Sequence, residues 1–182
     1  MNFYIYPFYR FHVMCIIPIY KIQHLTHQSI DLIPIHWQMI LINTGSFTQT
    51  IISLTGQKII IQASQKKYNQ YKQISKIIRC VWLETTLYTK ITFARSLWIL
   101  LHNIRTHNII NIKKAMGQSL IKYKIDTYKQ IHELYYAYSK NIERQFKHKH
   151  NLWGRKYTLY YDNKSYITIQ EFFSPKIKKL FS

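Results

Sequence analysis

The sequence predicts an α+β fold, with helices over a single, mostly antiparallel sheet of about six strands. Three observations carry this. The stretch from Leu152 to Pro175 holds two alternating runs, Lys156–Tyr161 and Ser165–Phe173, joined by Asp162-Asn163-Lys164, which is a hairpin by period and by turn chemistry. Three β-rich runs lie between residues 58 and 98, the first carrying Ile59-Ile60-Ile61. Between them and the N-terminus, helical spacing is bracketed by residues suited to capping.

Each element follows in order. Residues 1–28 form an N-terminal extension in which Pro7 and Pro18 punctuate Tyr, Phe and Ile without a clean period, and it is expected to cover one side of the sheet. From Pro34 to Ile42, apolar Ile35, Met39 and Ile42 with Trp37 and Ile40 predict a short helix. Ser46 then caps a second helix, Phe47–Leu54, and Gly56 suits its left-handed exit. Lys58–Gln65 is a strand, Lys66–Lys76 a polar, basic connection, and Ile77–Leu87 with Lys90–Trp98 a long hairpin turning at Tyr88-Thr89. Helical spacing returns between Leu100 and Lys122, interrupted by Gly117. Ile125–Ser139 fits helix by spacing and strand by its aromatic density, and a resemblance carried by residues elsewhere in the chain tips the choice to strand. Residues 140–151 read as a charged linker to the closing hairpin.

At 182 residues the chain is one domain, 1–182, with enough length for a core. A hydrophobic fraction of 47% excludes general disorder. The net charge of +19 favours an anionic partner. Nucleic acid is one such partner, with Tyr and Lys interleaved at Lys66–Lys76 and Lys122–Lys129, but an Ile-, Lys-, Asn- and Tyr-rich composition also follows from biased codon usage. A small acidic substrate exploits the same field. Cys15 and Cys80 are too few for a disulfide framework or a zinc site, and a reducing compartment fits them. The longest uncharged run, Leu32 to Gln57, is too interrupted by polar residues and Pro34 to span a membrane. No secretory or transit peptide is expected.

Few side chains suggest chemistry. In the last strand Ile167, Ile169, Glu171 and Phe173 share one face, so Glu171, one of only seven acids, lies among apolar neighbours. A carboxylate there is paired, neutralised or working. Arg95, inside an apolar strand, requires an anion: either a substrate, or a protein carboxylate such as Glu84 or Glu171. Arg155, beside Trp153 and Gly154, either binds a substrate carboxylate or pins the hairpin. His148-x-His150 is better explained as solvated charge than as a metal pair.

Leu152-Trp153-Gly154-Arg155 followed by Glu171-x-Phe173-x-Pro175 resembles the signature of the chorismate pyruvate-lyase family, including hypothetical members encoded in algal plastid genomes. Four further segments continue the resemblance in order over roughly residues 41–175: Leu41 to Thr48, Val81-Trp82-Leu83, Phe93-Ala94-Arg95-Ser96 and Met116 to Leu120. The resemblance implies helical flaps enclosing an internal ligand cavity and a monomeric, plastid-encoded protein of the stroma. It also implies removal of pyruvate from chorismate to give 4-hydroxybenzoate, without metal or organic cofactor. Glu171 matches the acid that meets the ring hydroxyl. Phe47 and Met116 match positions whose backbone N–H groups hold the ring carboxylate, although core packing explains both equally on sequence alone. The family's bacterial lyases usually follow Trp-Leu with a carboxylate-binding Arg, where this chain has Glu84. Arg79 or Arg95 supplies that cation, or the alignment slips by a residue, the ligand differs or the activity has been lost. Alternative functions are a non-catalytic aromatic-acid-binding domain on the same scaffold and a basic nucleic-acid- or ribosome-associated protein.

Overall fold

Alternation in the closing stretch builds the middle of the sheet. A computed structural model describes residues 11–19, 33–70, 74–87, 89–101, 116–117, 124, 126–161 and 165–180. Its strands are β1 (His12–Pro18), β2 (Ile60–Gln70), β3 (Ile74–Glu84), β4 (Lys90–Leu101), β5 (Tyr128–Tyr138), β6 (Leu152–Tyr161) and β7 (Ser165–Phe173). The helices are α1 (Ile35–Leu41), α2 (Phe47–Thr55) and α3 (Lys140–Phe146), with a closing 3-10 helix at Pro175–Leu180. All neighbouring strands are antiparallel, in the order β1-β5-β6-β7-β4-β3-β2, which makes β7 the central strand.

Both faces of the centre are covered, so residues of opposite parity are buried. On one face Trp37, Ile40 and Leu41 of α1 and Phe47 and Ile51 of α2 pack with Ile167, Ile169 and Phe173 of β7 and with Ile177. On the other, Ile142 and Phe146 of α3 pack with Phe93, Tyr135 and Phe172. The buried face of α1 is Trp37, Ile40 and Leu41; Ile35 and Met39, expected to lead it, are exposed. For α2 the sequence expectation holds at both ends: Ser46 Oγ accepts from Gln49 N at 3.4 Å, and Gly56 leaves the helix at φ 64°.

Several boundaries differ from the sequence expectation. The polar stretch from Lys66 belongs largely to strands, because the β2–β3 ladder runs from Ile60↔Glu84 to Gln70↔Ile74. Pairing there uses the backbone, and an edge strand such as β2 tolerates polar side chains. The supposed linker at 140–151 contains α3, where Ile142 and Phe146, one helical turn apart, are both fully buried. Part of the N-terminal extension supplies a seventh strand, pairing β1 to β5 from His12↔Tyr138 to Pro18↔Glu133. The helix expected over Leu100–Lys122 lies outside the described residues, apart from Leu100 and Leu101 in β4 and Met116–Gly117, which are helical. The turn at residues 162–164 also lies outside them.

β6 and β7 approach closely at Gly154. A Cβ at this position would meet the Glu171 carbonyl oxygen at 2.5 Å and a Phe172 ring carbon at 2.7 Å. Real Cβ atoms do not tolerate such contacts with backbone, so a glycine must precede Arg155. Gly154→Ala is expected to destabilise the protein by roughly 1–3 kcal/mol and to lower its thermal midpoint by about 5 °C. An unchanged midpoint in scanning calorimetry would remove this account of the glycine.

Candidate functional site

Arg155 and Glu171 are cross-strand partners on β6 and β7. Arg155 Nε donates to Glu171 Oε2 at 2.8 Å, and Nη1 donates to the carbonyls of Ile40 at 2.9 Å and Asn43 at 2.8 Å. Those carbonyls belong to the last turn of α1 and the segment after it, where acceptors have no intrahelical donors and a cation suits the helix dipole. The Arg155 guanidinium is fully buried. Of the two roles open to Arg155, its contacts are those of a structural cation that ties α1 to the hairpin.

The same pair orients the carboxylate. Tyr157, two residues after Arg155 and on the same face, donates its hydroxyl to Glu171 Oε1 at 2.8 Å. Burial, with the negative charge of Glu171 beside it, holds the Tyr157 hydroxyl well above its usual pKa, so it remains a donor. Each oxygen of Glu171 thus has one fixed partner. A carboxylate has about four acceptor sites, so capacity remains for a ligand.

Glu171 opens onto a pocket of about 700 Å³, within the range of small-molecule sites. Its sheet wall follows period two: Arg79, Val81 and Leu83 from β3, Ala94 and Ser96 from β4, Tyr157 and Leu159 from β6, and Ile169 and Glu171 from β7. Facing them are residues 44–48, which lead into α2, and Met116-Gly117. The first turn of α2 leaves the Phe47 and Thr48 amides without intrahelical acceptors, and its dipole favours an anion nearby. The Phe47 ring meanwhile packs on Phe173 at 4.9 Å between centroids. Gly117 sits against the cap of α2 so tightly that a Cβ there would collide with Ser46 Oγ.

The candidate cations separate by strand parity. Arg79 is buried and lines the pocket, and burial alone lowers its pKa. Arg95 is not brought to the pocket: it lies between wall residues Ala94 and Ser96 and projects to the opposite face. There Nε and Nη2 donate to Gln170 Oε1, and the guanidinium lies 5.9 Å from the Phe11 ring. Its partner is thus an amide oxygen, neither a substrate nor one of the expected carboxylates. Burial brings its pKa down to about 10. Glu84, too, stays out of the wall; it accepts from Gln62 Nε2 at 3.0 Å and lies 3.8 Å from Lys90 Nζ.

Lys129 of β5 completes the wall. Its Nζ donates to the Gly45 carbonyl at 2.6 Å and lies 4.8 Å from the Tyr157 ring centroid. Burial, with the positive charge of Arg155 adding to it and Glu171 opposing, brings its pKa to about 8. Sequence reasoning missed both Lys129 and Tyr157. The parity it shares with Arg155 would have found Tyr157; Lys129 had no signal to separate it from the other cations.

Residues 41–181 match the family described as chorismate pyruvate-lyase Rv2949c-like. The chain belongs to that family. Relatives of this lyase-family chain include the uncharacterized ycf21 protein of Antithamnion sp., 43% identical over 150 residues covering 81% of this chain and 83% of the relative. Another, from Porphyra purpurea, is 35% identical over 151 residues, covering 80% and 84%. The ycf21 relatives from red algae and Cyanophora are plastid-encoded, and this family member is accordingly a plastid protein. Among solved structures, the effector domain of PhnF from Mycobacterium smegmatis shares the fold, with a TM-score of 0.51 over 75% of this chain and 92% of that domain at 8% identity. The lyase-family scaffold is therefore α+β with one antiparallel sheet.

Two outcomes test this geometry. Arg155→Met leaves a buried carboxylate without its cation and is expected to cost about 3–5 kcal/mol in urea unfolding, whereas adding Glu171→Gln recovers part of that loss. Additive losses would mean that the pair is not coupled. For Lys129, the folded-state value of about 8 lies below the ordinary 10.5. The unfolded chain therefore binds more protons between those pH values, and stability rises with pH across that window. Urea midpoints of the wild type are expected to gain on those of Lys129→Met between pH 8 and 10; parallel curves would contradict the shift.

Proposed function

We propose that this protein is a chorismate pyruvate-lyase, which releases pyruvate from chorismate and leaves 4-hydroxybenzoate, with Glu171 as its acting carboxylate. The observation that carries the reading is Glu171 itself: a buried acid, fixed by Arg155 and Tyr157, facing a pocket whose other wall begins a helix. Membership of the lyase family supports the substrate class.

The reaction needs little chemical force, because the product ring is aromatic. A ring C–H bond and the neighbouring C–O ether bond break; the pyruvate fragment keeps the ether oxygen and gains a proton at its methylene carbon. The protein's task is to orient those bonds, exclude water and favour charge where it develops. In this reading Glu171 accepts a hydrogen bond from the ring hydroxyl beside the departing proton. At the far end of the ring, the amides of Phe47 and Met116 hold the ring carboxylate. Arg79, in the same pocket, contributes the cation that Glu84 cannot. The flaps that would close the chamber include Met116-Gly117, stacked on Ser46.

Purified protein is expected to convert chorismate to 4-hydroxybenzoate and pyruvate in equal amounts. Glu171→Gln is expected to reduce kcat by at least about a hundredfold while 4-hydroxybenzoate binding persists, since losing one positioned polar group costs about that much. Full turnover in the variant would remove Glu171 from the mechanism. Tight binding of 4-hydroxybenzoate by folded wild type without turnover would instead make the chain a non-catalytic aromatic-acid receptor.

A further inference from the structure

The pocket carries a cation on each flank. Arg79 stands on β3 and Lys129 on β5, with β4, β7 and β6 between them. Lys129 stands between Tyr157 and the loop before α2: its ammonium lies 4.8 Å from the Tyr157 ring, whose hydroxyl is bonded to Glu171 at 2.8 Å, and 2.6 Å from the Gly45 carbonyl. Among the described residues no ion pair engages Lys129, and its hydrogen bond to the Gly45 carbonyl uses one of three ammonium donors. Two donors remain on a half-buried cation beside the acting carboxylate.

Resting on the reading above, we propose that Lys129 binds the second carboxylate of the substrate, the one on the ether arm, and so selects dicarboxylates over the aromatic monoacid. The connectivity of the substrate requires this placement. If Glu171 meets the ring hydroxyl, the ether arm leaves from the adjacent ring carbon and its carboxylate falls at the same end, away from the ring carboxylate. Of the wall cations, Lys129 is the one in contact with Tyr157, the partner of Glu171, and Arg79 lies across the sheet. Once the arm departs, the remaining monoacid loses this contact, which favours release of the aromatic product.

The groups facing Lys129 are Arg155, Glu171 and Tyr157 from the sheet, with Lys124 and Asp126 on the segment before β5 also in the pocket wall. Tyr157 remains protonated throughout the neutral and mildly basic range. With Lys129 near 8, affinity for the dicarboxylate is expected to fall as pH rises from 7 to 8.5, below the range in which a phenolic ligand loses its own hydroxyl proton, while affinity for the monoacid changes little.

Two non-reacting probes separate the contributions: 4-hydroxybenzoate, with one carboxylate, and 3-(carboxymethoxy)-4-hydroxybenzoate, with the ring carboxylate, the hydroxyl and an ether-linked second carboxylate. Calorimetric titration of the full chain is expected to show that Lys129→Met weakens the dicarboxylate roughly ten- to hundredfold and the monoacid by less than about threefold. Lys129→Arg is expected to restore most of the loss and abolish the fall between pH 7 and 8.5. Equal losses for both probes, with the thermal midpoint unchanged, would make Lys129 only an anchor for the Gly45 loop and overturn the assignment. So would an unaltered dicarboxylate affinity. If wild type binds neither probe, the aromatic-acid reading of the pocket itself fails; if it binds both and Lys129→Met does not discriminate between them, only the role of Lys129 fails.

Discussion

A buried guanidinium joins this molecule's helical layer to its sheet. Arg155 reaches from the sheet to the carbonyl end of α1 with one nitrogen and to Glu171 with another. Removing both charges from water costs several kcal/mol per ion, and only excellent geometry with additional hydrogen bonds offsets such a cost. The carbonyls of Ile40 and Asn43, together with the Tyr157 hydroxyl, supply those additional bonds. The pair is thus better explained as a device for orientation than for stability. It fixes the helical layer relative to the sheet and aims a carboxylate into the space between them.

The neighbouring residues follow from that arrangement. The hairpin must bring β6 against β7 closely enough for Arg155 to meet Glu171, and Gly154 makes the approach sterically possible. The end of α1 must stop where its carbonyls meet the guanidinium, after which residues 43–46 turn the chain into α2, whose first residues line the pocket. Gly117 then fits against Ser46. In the proposed reading the amides that hold the ring carboxylate are carried on backbone held by packing, so they would survive changes in the side chains at Phe47 and Met116.

Much of this was legible in the sequence because it depends on period. The placement of Glu171 on a buried face, the Ser46 and Gly56 caps and the closing hairpin all follow from alternation or capping chemistry, and the observed elements keep them. The failures have physical causes. Ile142 and Phe146 bury a helix whose other residues are mostly charged, so composition concealed a two-residue apolar face. Polar side chains concealed the length of β2, since an edge strand is held by its backbone. Arg95 lies one residue from two wall positions, and strand parity alone sends it to the other face; apolar neighbours on both sides left that parity unreadable. Lys129 owes its significance to contacts with Gly45 and Tyr157, 84 and 28 residues away, which no local pattern encodes.

The strand order has a consequence for how the chain is made. Of the described strands β7 is the last in chain order, yet it occupies the middle of the sheet and completes pairing on both β4 and β6. Until it arrives, the β2–β3–β4 unit and the β1–β5–β6 unit have no strand between them, and each exposes an unpaired edge to other nascent chains. The residue on which the pocket turns is therefore delivered by the same late event that joins the two halves. A truncated translation product lacking β7 would be left with two open sheet edges rather than with a complete sheet that merely binds less well.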